Sequence, residues 1–300
     1  MNIINKAIVG MIPIVPKSIV RKFANKYIAG DTLAEAIEVT KKLNAKGIMS
    51  TMDVLGEDVF NRADAENAKV DCIKVLDAIE KNKLVSNHSL KLTSLGLKID
   101  FDFCLKNISD ILTAADAIGQ FVRIDMEDSS VTDITLRVYE EAHKTHKNTG
   151  VVIQSYMRRS WDDVSRLVKT GTNFRLCKGI YVEPEEIAYK KREEVQENYL
   201  KLLRLMFENK CYVGIATHDD VLIDGAHKLL KEFGKKPDEY EFQMLLGVRE
   251  GLRDRLLKEG HRVRIYVPFG SHWYGYSTRR FKENPQMAGY VIKSIFGGNK

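Results

Sequence analysis

Eight times along this chain a short run of β-forming residues ends in a polar residue and is followed by a stretch with helical apolar spacing. The runs are 47–55, 85–92, 121–126, 150–156, 174–179, 212–217, 240–245 and 263–267. The helical spacing is plainest over 186–208, where Ala188, Val195, Tyr199, Leu202, Leu203 and Met206 form one apolar face. Few architectures absorb such a pattern. Eight strand–helix units in about 250 residues predict an α/β chain closed into a (β/α)₈ barrel, with functional groups at the C-terminal ends of its strands. The alternative is an open doubly wound sheet. It usually carries a glycine-rich first turn, and no G-x-G-x-x-G occurs here.

Residues 5–44 read as helical, with Gly30-Asp31-Thr32 supplying a start and Leu33, Ile37 and Thr40 lying along one side. This divides the chain into an N-terminal helical arm, 1–46, and a barrel, 47–300. The apolar run at 3–15 contains Lys6, lacks a convincing cleavage site and is too short to span a bilayer, so a docked helix is expected there. The 47 Lys and Arg against 41 Asp and Glu leave a net charge of +6 without a basic arm or stripe, which argues against nucleic acid as a partner. Cys72, Cys104, Cys177 and Cys211 form no C-x-x-C pair, so neither a zinc site nor a disulfide framework is expected, and a reducing compartment is. No P-loop or H-E-x-x-H motif occurs.

The barrel reading directs attention to the strand ends, which carry Asp53, Lys91, Asp125, Gln154, Arg175 with Lys178, Thr217-His218, Gln243 with Leu245, and Tyr266. Arg175, Lys178 and Gly179, with Gln154 before them and Thr217-His218 after, concentrate donors suited to a phosphate-bearing, electron-rich cofactor such as a flavin. Taken singly, each is equally a surface ion pair or a cap, and His218 a satisfied structural histidine. Lys91 lies between Leu90 and Leu92. Apolar neighbours there could lower its pKa for Schiff-base chemistry, it could be a fixed ammonium beside a cofactor, or it could reach out to solvent. Asp125 and Glu127, placed on one strand face, are a minor metal reading, and no metal is expected.

The stretch 264–285 starts as a strand, is expected to break at Pro268 and Gly270, and continues as a helix with Tyr276, Arg279, Arg280 and Glu283 on one face. Two guanidiniums there form either a carboxylate clamp or a solvated basic face.

The segments DVLGE (53–57), LKLTSLG (90–96), IDMED (124–128), IQSYMRRS (153–160), RLCKGIY (175–181), ATHD (216–219), EFQMLLG (241–247) and YSTRRFKEN (276–284) together resemble the monofunctional proline dehydrogenases, FAD-dependent proline oxidases. The resemblance implies a distorted (β/α)₈ TIM barrel whose last helix lies over the mouth, with FAD bound there. It implies L-proline as substrate, its carboxylate held by Arg279 and Arg280 with Tyr276 and Glu283 on the same face. Lys91 and Asp125 match polar substrate-side residues, Tyr266 and Leu245 match walls of the substrate ring, and Glu57 matches a gate that pairs with Arg279. Gln154, Arg175, Lys178, Gly179, Thr217 and His218 match flavin contacts. Cys177, in the same flavin-side segment, and Ile180 depart from the family's usual aliphatic and small residues. It further implies a membrane quinone as electron acceptor and a separate pyrroline-5-carboxylate dehydrogenase as the next enzyme. The expected setting is cytoplasmic, with at most peripheral contact at the inner face of the membrane.

Overall fold

A computed structural model describes residues 20–21 and 24–277, so the apolar run at 3–15 and the residues Arg279, Arg280 and Glu283 lie outside the described residues. Eight parallel strands close on themselves in chain order: β1 (Met49–Val54), β2 (Ser86–Leu90), β3 (Val122–Ile124), β4 (Thr149–Gln154), β5 (Asn173–Cys177), β6 (Val213–Ala216), β7 (Tyr240–Leu245) and β8 (Val263–Phe269). The barrel closes where Met49 to Val54 pair with Arg264 to Phe269.

Between the strands run α2 (Arg62–Lys81), α3 (Phe101–Ala117), α4 (Ser129–Thr145), α5 (Ser160–Leu167), α6 (Arg192–Glu208), α7 (Asp220–Glu232) and α8 (Glu250–Lys258), after an initial α1 (Leu33–Asn44). Their starts are chemically marked. Asn61, Asp100, Asp128 and Asp219 each accept a backbone N–H of the first turn, and Thr32 and Glu35 form a reciprocal capping box at α1.

Period-two alternation sorts the strand side chains. Ile153 and Leu176 point into the apolar layer beneath the helices, while Val152, Gln154, Arg175 and Cys177 face the barrel interior and the cavity at its mouth. α1 packs outside β1 and β8, the place a regular barrel gives to its eighth helix. It is tied in at the rim, where Ala29 N–H donates to Pro268 O at 2.8 Å and Gly270 N–H to Gly30 O at 3.0 Å. After β8 a helix starts at 273–277 at the barrel mouth, where Tyr276 lines the cavity.

Three local expectations are corrected. β8 does not break at Pro268 but runs to Phe269. β7 has already ended at Leu245, and Ala29 occupies that flank, so no strand neighbour there needs a proline N–H. Helix α6 starts at Arg192, not near 186. Ala188 instead forms an antiparallel bridge with Met157 and packs beside Tyr156 in a small separate cluster. Lys91 is not inside a strand: it precedes a 3₁₀ turn, Leu92–Leu95, directly after β2.

Candidate active site

A cavity of about 740 Å³ opens at the C-terminal ends of the strands. The structure brings Lys91, Asp125, Gln154, Arg175, Cys177, Lys178, Gly179, Thr217, His218, Leu245, Tyr266 and Tyr276 to its wall. Glu57 does not line it. It sits half-buried in the loop after β1, near enough to raise the pKa of Lys91.

The floor is a closed set of charges. Asp125 is the hub: one oxygen accepts from Arg175 Nη1 and Ser89 Oγ, both at 2.6 Å, and the other accepts from the Tyr266 hydroxyl at 3.0 Å. Lys91 Nζ reaches Asp53 at 3.1 Å, Asp125 at 3.8 Å and the Tyr266 hydroxyl at 3.5 Å. Burial alone would push each charged group toward neutrality. For Asp125 the burial effect is outweighed by Arg175 and then Lys91, so its carboxyl stays below the ordinary range. For Lys91 it is outweighed by Asp53, then Asp125 and Glu57, so the ammonium is held more firmly than in water. Asp53 is the weaker acid of the pair. Burial raises its pKa, Asp125 adds to the rise, and Lys91 only partly offsets it. A lysine so held is not a Schiff-base nucleophile, which overturns the reading of Lys91 as a lowered-pKa amine.

Arg175 is the most informative group. Its Nε donates to Gln243 and its Nη1 to Asp125 and Ser89, while Nη2 is buried without a hydrogen-bond partner among the described residues. Nη2 is itself sealed from solvent, so this unmet donor on a cavity-lining residue reaches an acceptor atom of a bound molecule by a shift of the side chain.

Around the rim, Gly179 has φ +107°, and a Cβ there would lie 2.1 Å from the Tyr156 ring, so only glycine allows this turn to press against that ring. Lys178 pairs with Asp219 at 3.2 Å. Leu245 N–H donates to His218 Nε2 at 3.0 Å, which places the proton of a neutral imidazole on Nδ1. Thr217 Oγ1 accepts from Asp219 N–H, and Gln154 Nε2 donates to Glu127 O. Burial pushes the Cys177 thiol up to about 12, so it is a small apolar wall here and not a nucleophile.

Glu127, expected on one strand face with Asp125, is separated from it in the structure. Past the end of β3 the alternation lapses: Asp125 turns into the barrel, while Glu127 accepts Thr93 N–H at 3.1 Å and the Thr93 hydroxyl at 2.5 Å. Burial raises its pKa to about 7. Thr93 in turn accepts from Asp58 and Val59, so Glu127 braces the loop that carries Glu57. Asp53, visible as a strand end but given no site role, proves to be the main partner of Lys91.

The chain is similar to known proteins along most of its length. A family profile described as proline dehydrogenase matches residues 36–293. Proline dehydrogenase 2 of Bacillus subtilis (strain 168) is 38% identical over 275 residues, covering 92% of this chain and 91% of that protein. The proline dehydrogenase of Deinococcus radiodurans is 34% identical over 280 residues, covering 92% and 90%. Among solved structures, proline utilization A from Bdellovibrio bacteriovorus, inactivated by N-propargylglycine, superposes with a TM-score of 0.83 at 23% identity over 93% of this chain. This chain spans about a third of that longer protein, 34%, and the likeness concerns the fold.

Proposed function

The chain belongs to the proline dehydrogenase family, and from that premise we propose that it oxidises L-proline to 1-pyrroline-5-carboxylate with FAD as the electron acceptor. The observation that carries the cofactor reading is the Nη2 of Arg175, without a partner among the described residues. The cavity on which Arg175 lies has apolar walls at Val152, Ala216 and Leu245 and a close glycine turn at Gly179. These residues fit a flavin: a flat apolar ring system with carbonyl acceptors at one end needs such walls and such a donor. Arg175, Lys178, Gly179, Gln154, Thr217 and His218 would hold it, with Cys177 filling the wall behind. Bound FAD supplies the acceptor for the hydride that leaves the carbon beside the proline nitrogen.

The chain's own groups do the rest. Arg279 and Arg280, outside the described residues, are assigned by motif to the substrate carboxylate, with Tyr276 and Glu283 beside them and Glu57 as the gate on Arg279. Asp125 remains ionised because Arg175 and Lys91 face it, so it cannot be the strong base that removes the amine proton. Its role is electrostatic, favouring the cation that forms as the C–N bond becomes C=N. Tyr266 donates to Asp125, which orients its ring along the cavity wall beside Leu245, its register partner on β7. Lys91 stays an ammonium and fixes Asp53 and Asp125 in place.

The pyrroline product then passes to a separate pyrroline-5-carboxylate dehydrogenase, and the electrons to a membrane quinone. Among the described residues no helix is long and apolar enough to cross a membrane, so the proposed contact with the inner face is peripheral. The test is dye reduction by the purified protein with L-proline, with the pyrroline trapped chemically as it forms. Product that appears only with L-proline supports the reading. A flavin-loaded protein that binds proline yet reduces no dye would make this a binding barrel instead.

A further inference from the structure

At the opposite end of the barrel three metal-ligating side chains converge. His227 projects from α7, while Glu259 and His261 lie in the turn between α8 and β8. Glu259 Oε2 lies 3.9 Å from His227 Nε2 and 3.7 Å from His261 Nε2, and the three ligand atoms are within 4.8 Å of one another. They border a second cavity of about 400 Å³, far from the catalytic groups and absorbed by no part of the mechanism above.

We propose that His227, Glu259 and His261 form a binding site for a zinc-class divalent cation. Zinc bonds nitrogen and oxygen ligands at about 2.0–2.2 Å, so one ion can touch two ligand atoms only if they are within about 4.2 Å of each other. Both N···O pairs, at 3.9 and 3.7 Å, already meet that limit. The two imidazoles are stacked, with ring centroids 5.0 Å apart and planes 19° apart, so their Nε2 tips meet one ion by rotating out of that stack.

Two further features favour an ion. His227 Nε2 is buried with no hydrogen-bond partner among the described residues, a cost that coordination removes. His261 Nδ1 lies 2.7 Å from the Tyr240 hydroxyl. With the proton on Nδ1 donated to Tyr240, the lone pair of Nε2 faces Glu259, as a histidine ligand with an outer-shell partner is held. Two imidazoles and one carboxylate suit zinc, nickel or copper and not magnesium or calcium, which take oxygen ligands. Three protein ligands leave a fourth position for water from the cavity. Lys231 and Lys235 border the same cavity, but Lys235 is turned to Glu239 and the Phe207 ring.

The experiment is calorimetric titration of the full chain, free of any affinity tag, with zinc chloride, alongside cobalt(II) titration followed by visible absorption. One equivalent should bind, and the cobalt form should show the intense bands of a low-coordinate site. His227→Ala and His261→Ala should each weaken binding by more than about tenfold. Tyr240→Phe, which removes no ligand atom, should weaken it by about tenfold through its neighbour. Thermal melts identify any variant that fails to fold, and for such a variant the cobalt spectrum of the parent decides. No binding by the parent, or binding that persists undiminished in both folded histidine variants, would overturn the site.

Discussion

The two ends of this barrel both bury arginine and carboxylate, and they treat them differently. At the N-terminal end Arg123 gives both terminal nitrogens to Asn173 and Val151, its Cζ lies 4.7 Å from the Phe121 ring centroid, and its Nε is buried without a hydrogen-bond partner among the described residues. Arg264 there holds Glu241 at 2.7 Å and the Ser50 carbonyl at 2.6 Å. At the mouth, Arg175, a residue of the cavity wall, keeps one buried nitrogen without a partner among the described residues. Gln243 joins the two clusters, accepting from Arg175 and donating to Glu241. The buried glutamates repeat the contrast. Burial would raise both, but Arg264 overrides it for Glu241, while Glu127, with only Thr93 as direct partner, is left at about 7. Each end leaves a guanidinium nitrogen without a hydrogen-bond partner among the described residues, but Arg175 lines the large cavity and Arg123 does not, and past the end of β3 Glu127 is kept close to neutrality.

The sharpest way to break this contrast is Arg175→Ala. It should lower kcat/KM for proline by about 10²–10³-fold, the usual cost of one preorganised donor. Flavin retention or potential should change, and the melting temperature should fall as well, because Asp125 loses the partner that offsets its burial. A normal spectrum, potential and turnover would remove Arg175 from the cofactor site.

Glu127→Gln tests the mouth through pH. A carboxyl raised from 4.5 to about 7 holds its proton more tightly in the folded state. Its presence therefore costs nothing below pH about 4.5, costs progressively more up to about 7, and levels off at no more than about 3 kcal/mol. The stability of the variant relative to the parent should rise across that window in denaturant titrations. A difference that stays flat with pH would contradict the assignment. Glu241→Gln should show the opposite sign, losing stability above the carboxylate range because it abandons Arg264.

At the N-terminal end, Gly150→Ala places a Cβ 2.3 Å from the Asn173 carbonyl, a backbone atom that cannot swing away. A loss of about 1–3 kcal/mol or more in stability is expected, with kcat/KM of the folded fraction unchanged. Turnover damaged ahead of stability would mean that the two ends are not separable.

The smallest expected effect concerns substrate choice. The Tyr266 ring borders the cavity with its hydroxyl already given to Asp125, so a hydroxyl on the substrate ring beside it would find no good partner. L-Proline should be preferred over 4-hydroxyproline by about ten- to a hundredfold, and Tyr266→Ser should narrow that gap. Equal use of both by the parent protein would end the wall assignment.

Much of this was legible before any coordinates, for physical reasons that also mark where legibility stops. Buried parallel strands must be apolar toward the helices, so Ile153 and Leu176 announce themselves, and the polar residues between and after them fall on the interior and the rim. Beyond a strand's last hydrogen bond the period-two rule no longer applies. That is why Asp125 and Glu127, two apart, were read as sharing a face and in fact part company. Ala188 fits a helical spacing, yet its backbone is engaged in a bridge to Met157, which no local pattern signals. The pKa of Lys91 could not be read from its apolar sequence neighbours, because the carboxylates that set it arrive from β1 and the end of β3. His227 and His261, 34 positions apart, meet only through the packing of α7 against the turn before β8.

The central claim, that the unmet Arg175 donor at the mouth belongs to a flavin that oxidises proline, is tested most directly by the visible absorption of the purified protein under anaerobic titration with L-proline. A yellow protein whose flavin band bleaches in proportion to added L-proline, and returns when a quinone or dye is admitted, is the predicted result. A flavin band that is indifferent to saturating L-proline, or a colourless protein that turns proline over, would contradict it.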